Sequence, residues 1–196
     1  MNKPRTLTLD AAGVVEQARF IASPNCDQRP AAGGTIELLV IHNISLPPGN
    51  FGGGFVDDLF LGRLDCGAHP YFDRLRGLRV SSHFLIRRTG ALTQYVSCLH
   101  RAWHAGQSAW QGRERCNDFS IGVELEGADD LSFMEVQYGV LSLLVRSLAR
   151  SYGLVAAAGH SDIAPGRKTD PGPWFDWTRF MRDTGLPGPV PASRGG

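Results

Sequence analysis

The sequence predicts an α/β fold, a single domain in which a central mixed β-sheet is flanked by helices. Three observations carry this. Leu38 to Ile41 is apolar without alternation, as in a strand covered on both faces; His83 to Ser97 reads as a hairpin; and about Phe133 to Tyr152 forms one amphipathic helix. Strands that include a hairpin, interleaved with helices, call for a mixed sheet with helices packed on it. At 196 residues the chain suits one domain, burying roughly 70% of the surface its unfolded form would expose. Neither an internal repeat nor a second domain is evident.

Taken in order, the first clear strand is "TIELLVIHN", Thr35 to Asn43, which delivers His42 at its C-terminal end. The Pro- and Gly-rich "ISLPPGNFGGGF" that follows cannot be regular structure, and a short helix is expected around Val56 to Leu61. In the hairpin, His83 to Arg88 and Ala91 to Ser97 meet at Thr89-Gly90. "FSIGVELEG", Phe119 to Gly127, is a strand with Ile121, Val123 and Leu125 on one face and Ser120, Gly122, Glu124 and Glu126 on the other.

For the long helix, Ser132 and Glu135 form a capping box, Val136, Val140, Leu141, Leu144, Val145 and Leu148 form an apolar stripe, and Gly153 closes the C-terminus. The stretch "GHSDIAPGRKTDPGPW", Gly159 to Trp174, holds His160, Asp162, Lys168 and Asp170 among prolines and glycines and reads as a fixed loop. A domain is thus expected over residues 1–185, followed by a disordered tail from Leu186, "LPGPVPASRGG".

Composition excludes several function classes. Hydrophobic residues at 42%, charged residues at 20% and a net charge of +1 argue against nucleic-acid or membrane partners. The N-terminal stretch lacks the apolar core of a secretory signal, and no apolar run reaches the ~18 residues of a membrane span, so a cytoplasmic location is expected. Cys26, Cys66, Cys98 and Cys116 lie far apart with no C-x-x-C pair, as in free cytosolic thiols. "GQSAW", Gly106 to Trp110, breaks the G-x-S-x-G elbow, which disfavours a serine hydrolase.

The chemistry-bearing residues suggest a metal. His42 follows one apolar run and His160 another, "GLVAAAG", and strand ends present side chains rigidly. Alone, either histidine reads as a hydrogen-bonded strand cap before it reads as a ligand. With a carboxylate, two imidazoles leave a fourth tetrahedral position open, the pattern of catalytic zinc. Asp162 and Asp170 compete for that place. A water activated on such a metal needs a base, and the oxyanion formed at a carbonyl needs a cation. Glu124 and Lys168 are available for these tasks, or are a surface carboxylate and a solvated loop charge.

The motifs "VIHNISLPPG", "HPYF", "LRVSSHFLIRR", "RAWHAG", "QGRERCNDFSIGVELEG", "KTDPG" and "FDW" lie in order over about Ser23 to Phe180. Together they closely resemble the AmpD family of cytoplasmic 1,6-anhydro-N-acetylmuramyl-L-alanine amidases, which belong with zinc amidases that include peptidoglycan recognition proteins. The resemblance implies one zinc ion held by His42, His160 and Asp170, Glu124 as the base and Lys168 as the oxyanion stabiliser, with Asp162 left as a loop residue. It also implies hydrolysis of the lactyl amide between anhydromuramic acid and L-alanine in the recycling of wall fragments. An anhydromuramyl peptide is then the partner, with no nucleic acid, membrane or obligate protein partner.

Arg79 and Arg115 match positions expected to pair with stem-peptide carboxylates, by bidentate guanidinium bonding. Asn43, Trp103 and His104 are expected to line the cleft, and His83 to be a satisfied strand histidine outside it. Gly52-Gly53-Gly54 departs from the bulkier residue usual after the family's Gly-Gly, so a more mobile loop is expected on the sugar side. Two rival readings are an amidase acting on ordinary muramyl peptides or on the sacculus, and a non-catalytic muropeptide sensor.

Overall fold

The computed structural model describes residues 6–31 and 34–189. Its strands are β1 (Arg19–Phe20), β2 (Cys26–Gln28), β3 (Leu38–Ile44), β4 (Phe84–Ile86), β5 (Leu92–Gln94), β6 (His100–Ala102), β7 (Ala109–Trp110), β8 (Arg113–Glu114), β9 (Ser120–Glu126) and β10 (Ala156–Gly159). Its helices are α1 (Phe55–Phe60), α2 (Glu135–Tyr152), α3 (His160–Ile163) and α4 (Trp177–Thr184), with 3-10 turns at Pro70–Leu75 and Cys116–Asp118. Six strands form the central sheet in the order β1-β5-β4-β9-β3-β10. The β4–β5 hairpin pairs antiparallel while the other neighbours are parallel, so the sheet is mixed as expected.

Both faces of β3 and β9 are buried, which explains the unbroken apolar run of β3. On one face Leu39, Ile41, Ile121, Val123 and Leu125 pack against Leu141, Leu144, Val145 and Leu148 of α2 and Phe180 of α4. The other face carries two separate apolar clusters. Leu46, Leu59, Phe60 and Phe72 gather on Leu85, and Ala105, Phe119 and Ile163 gather on Leu38 and Val40.

Most predicted elements are present, with changed boundaries. The long helix begins at Glu135, and Ser132 does not cap it. Instead the Met134 N–H donates to Gln137 Oε1 (2.9 Å), while the Gln137 amide donates to the carbonyls of Ile86 and Glu126 (both 3.1 Å). The sheet thus selects where the helix starts. Gly153 closes it in the left-handed conformation, at φ +69°. Helix α4 was not expected; Asp176 caps it by accepting the Arg179 N–H, and Phe180 is buried beneath it.

The stretch from Gly159 is not wholly loop. It opens with the single turn α3, and Asp162, expected as a loop residue, accepts the Gly159 N–H at 2.6 Å. The expected tail also begins too early. Leu186 is only 5% exposed, and the Pro187 carbonyl accepts the Ala157 N–H at 2.7 Å, so residues 186–188 pack on the sheet beside β10 and Trp177. Residues 190–196 lie outside the described residues. The glycine-rich loop is held by the Gly52 N–H, which donates to Glu126 at 2.7 Å, and by Phe51, whose ring lies 4.9 Å from the Arg88 guanidinium.

All four cysteines are free. Among the described residues no helix is long and apolar enough to cross a membrane.

Candidate metal centre

Strand register brings the predicted residues together. His42 of β3 lies directly across from Glu124 of β9, and Gly159 of β10 is level with Ile41, which sets His160 beside His42. All three positions are near the C-terminal ends of parallel strands, where open α/β sheets present their sites. The side chains emerge on the face away from α2, in the gap between the two apolar clusters. A third segment arrives from α3: the Ser161 N–H donates to the Asp170 carbonyl (2.9 Å), and the Lys168 N–H to that of Ala164 (3.1 Å).

Three donor atoms converge there. His42 Nδ1 lies 3.0 Å from His160 Nδ1 and 2.9 Å from Asp170 Oδ2, and His160 Nδ1 lies 3.1 Å from the same oxygen. His42, His160 and Asp170 form a group able to hold a metal ion. Protonation states favour that use. His160 Nε2 sits 3.1 Å from the Ala105 carbonyl; a carbonyl only accepts, so this nitrogen donates, and Nδ1 is the ring atom turned toward His42 and Asp170. Burial, reinforced by His160, pushes the His42 pKa down to about 4 and keeps the ring neutral. Burial works against ionised Asp170, but contact with the nitrogens of His160 and His42 outweighs it and holds the carboxyl well below its usual range. Two imidazoles and a carboxylate fit zinc with one open position.

Glu124 is 7% exposed, so it is not a surface carboxylate. Its Oε2 has no hydrogen-bond partner within the protein, an uncommon state for a buried carboxyl. Burial raises its pKa, as does the Asp170 charge, against partial compensation by Lys168. The adjoining cavity measures about 500 Å³ and is lined by His42, Asn43, His104, Glu124, His160, Lys168 and Asp170.

The other expected contacts are more dispersed. Arg79 stacks on Trp103, 5.3 Å from guanidinium to ring centroid, next to Val80 and Ser81 of the cavity wall, but neither Arg79 nor Trp103 lines the cavity. Arg115 is exposed, pairs with Asp118 at 3.1 Å and borders a different pocket. Asn43 lines the cavity, with its amide donating to Asp129 at 2.6 Å. His83 is buried and satisfied: Nδ1 accepts the Gly122 N–H (3.0 Å) and Nε2 faces the His100 carbonyl (3.1 Å).

Two participants escaped the sequence reading. Asp129 holds Asn43, and Arg167 donates to the carbonyls of Ala105 (2.8 Å) and Gln107 (2.6 Å) at the cavity edge. The adjacency of Arg167 to Lys168 was the one available signal.

Known proteins share this arrangement of sequence and fold. The AmpD 1,6-anhydro-N-acetylmuramyl-L-alanine amidase of Escherichia coli K12 is 57% identical over 165 residues, covering 83% of this chain and 90% of that protein. Its Salmonella typhimurium SL1344 counterpart is 55% identical over 170 residues, covering 86% and 90%. A crystal structure of a selenomethionine AmpD derivative superposes with a TM-score of 0.87 at 53% identity, covering 90% of this chain and 98% of that one. The amidase AmiD of E. coli, solved with anhydro-N-acetylmuramic acid-L-Ala-D-γ-Glu-L-Lys, superposes at 0.59 with 29% identity, covering 97% and 70%. The N-acetylmuramoyl-L-alanine amidase family matches residues 32–173, a span that contains the whole donor cluster and Glu124, and this chain belongs to that family.

Proposed function

We propose that the protein hydrolyses the lactyl amide between 1,6-anhydro-N-acetylmuramic acid and the L-alanine of its stem peptide, in the cytoplasmic recycling of peptidoglycan fragments. The observation that carries this reading is the β3–β9 register, which sets a two-histidine, one-carboxylate cluster beside a buried carboxyl with a free oxygen. Relationship to AmpD supports the substrate and the cytoplasmic setting.

His42, His160 and Asp170 hold one zinc ion. When bound, zinc supplies Lewis-acid polarisation of the scissile carbonyl and makes water at the site a stronger acid. Glu124 takes the proton of the attacking water through its free Oε2 and returns it to the departing alanine amine; its raised pKa suits both transfers. Lys168 faces the carbonyl oxygen as negative charge develops there. Asn43 borders the bound ligand from the cavity wall. Arg79, stacked on Trp103, and Arg115 pair with stem-peptide carboxylates beyond the cavity.

Mass-spectrometric product analysis on anhydromuramyl-tripeptide tests bond, substrate and metal together. Free tripeptide and anhydromuramic acid are expected, with release stopped by a chelator and restored by zinc. Cleavage at another bond, or turnover indifferent to the chelator, overturns the assignment. Parallel incubation with reduced muropeptides measures selectivity for the anhydro sugar.

A further inference from the structure

We propose that His104 is a positioning residue which holds His42 in the tautomer and orientation needed to ligate through Nδ1; this rests on the zinc-dependent reading above. His42 presents Nδ1 to His160 and Asp170, so its hydrogen must sit on Nε2 when Nδ1 binds a metal. His42 Nε2 is 3.0 Å from His104 Nδ1, which accepts that hydrogen. His104 then carries its own hydrogen on Nε2, 3.2 Å from Ser120 Oγ, to which it donates. The two rings meet edge to face, at 5.1 Å and 86°.

The chain is built to keep this ring in place. The N–H groups of His104 and Ala105 both donate to Asn117 Oδ1, at 3.1 and 2.8 Å. A Cβ at Gly122 would lie 2.5 Å from His104 Cγ, so only glycine at that position of β9 leaves room for the imidazole. Metal-bound histidines usually donate their outer hydrogen to a carboxylate, a backbone carbonyl or water. His160 does so, using the Ala105 carbonyl. His42 instead uses an imidazole followed by a hydroxyl, which orients it without adding charge beside the cluster.

The outer partner of His42 is therefore a side chain and can be exchanged. Zinc affinity, read by competition with a chromophoric chelator, is expected to fall about 10–100-fold in His104→Leu. His104→Gln, whose amide oxygen can accept the same hydrogen, recovers most of the loss. Thermal midpoints of both variants, measured without zinc, report on folding separately from metal affinity. In the zinc-loaded wild type, histidine ¹⁵N shifts are expected to show His104 protonated at Nε2 and bare at Nδ1.

Unchanged zinc affinity in His104→Leu, or a hydrogen on His104 Nδ1, overturns the proposal. If His104→Leu does not fold, the ¹⁵N measurement on the wild type decides alone. A wild type that binds zinc yet releases no tripeptide removes the proposed reaction and leaves this comparison intact, whereas one that binds no zinc overturns both.

Discussion

At Glu124, burial and chemistry act on the same group. The carboxyl sits beside Asp170 in a nearly dry position with one oxygen unpartnered within the protein, so it is basic enough to accept a proton. Glu124→Gln preserves shape and removes that capacity. Turnover of anhydromuramyl-tripeptide is expected to fall about 10²–10⁴-fold while zinc content, measured by metal analysis, stays at the wild-type level. Lys168→Ala is expected to lower kcat about 10²–10³-fold with zinc retained; equal loss of zinc and activity would instead make Lys168 a support for the ligands. Strand parity placed Glu124 on the polar face of its strand together with Gly122 and Glu126, and the family resemblance marked it as the base. Its burial was not legible, because the segments that cover that face, around Leu46 and Ala105, are remote in sequence.

Among the elements, β9 joins the chemistry to the cavity wall. Two positions beyond Glu124, Glu126 accepts from the Gly52 N–H (2.7 Å), the Arg88 N–H (3.0 Å) and the Arg87 guanidinium (2.9 Å). Arg87 in turn pairs with Asp57 of α1 at 2.9 Å, and Asp57 also accepts from the Tyr95 hydroxyl. This clamp ties α1 and the glycine-rich loop to the sheet. Burial raises the pKa of Glu126, but the two N–H groups and Arg87 outweigh it and the net shift is downward. A carboxylate with a depressed folded-state pKa stabilises the fold above its unfolded value of about 4.3. That contribution is lost as pH falls through the folded value. Glu126→Gln is therefore expected to lower the thermal midpoint at pH 7 and to flatten its decline toward pH 3; parallel curves for variant and wild type would contradict this. The alternation of β9 and the stripe of α2 were legible as local periodicity. The start of α2 was not, because it is set by Gln137 bonding to carbonyls at the ends of β4 and β9.

Across the whole molecule, one face of the sheet is packed continuously by α2 and α4, and the other is left open between two clusters. This asymmetry makes one face the core and the other the site. Residues 186–188 belong to the packed side, where Leu186 joins the core around Phe180. Leu186→Ala is expected to cost about 2–4 kcal/mol, lowering the thermal midpoint by roughly 2–4 °C per kcal/mol. A midpoint unchanged within error would show that this segment does not contribute to the core.

The fold class, the long helix and the main strands were readable from residue type and spacing, because each depends on neighbours within a strand or a helical turn, while the ligand set was given by the family resemblance. The choice of Asp170 over Asp162 came from the family resemblance, whereas the burial of Glu124, the contact of His104 with His42 and the docking of Pro187 on β10 were settled by the folded chain. These are contacts between segments far apart in sequence, and their geometry depends on register, ring orientation and packing that no local pattern encodes.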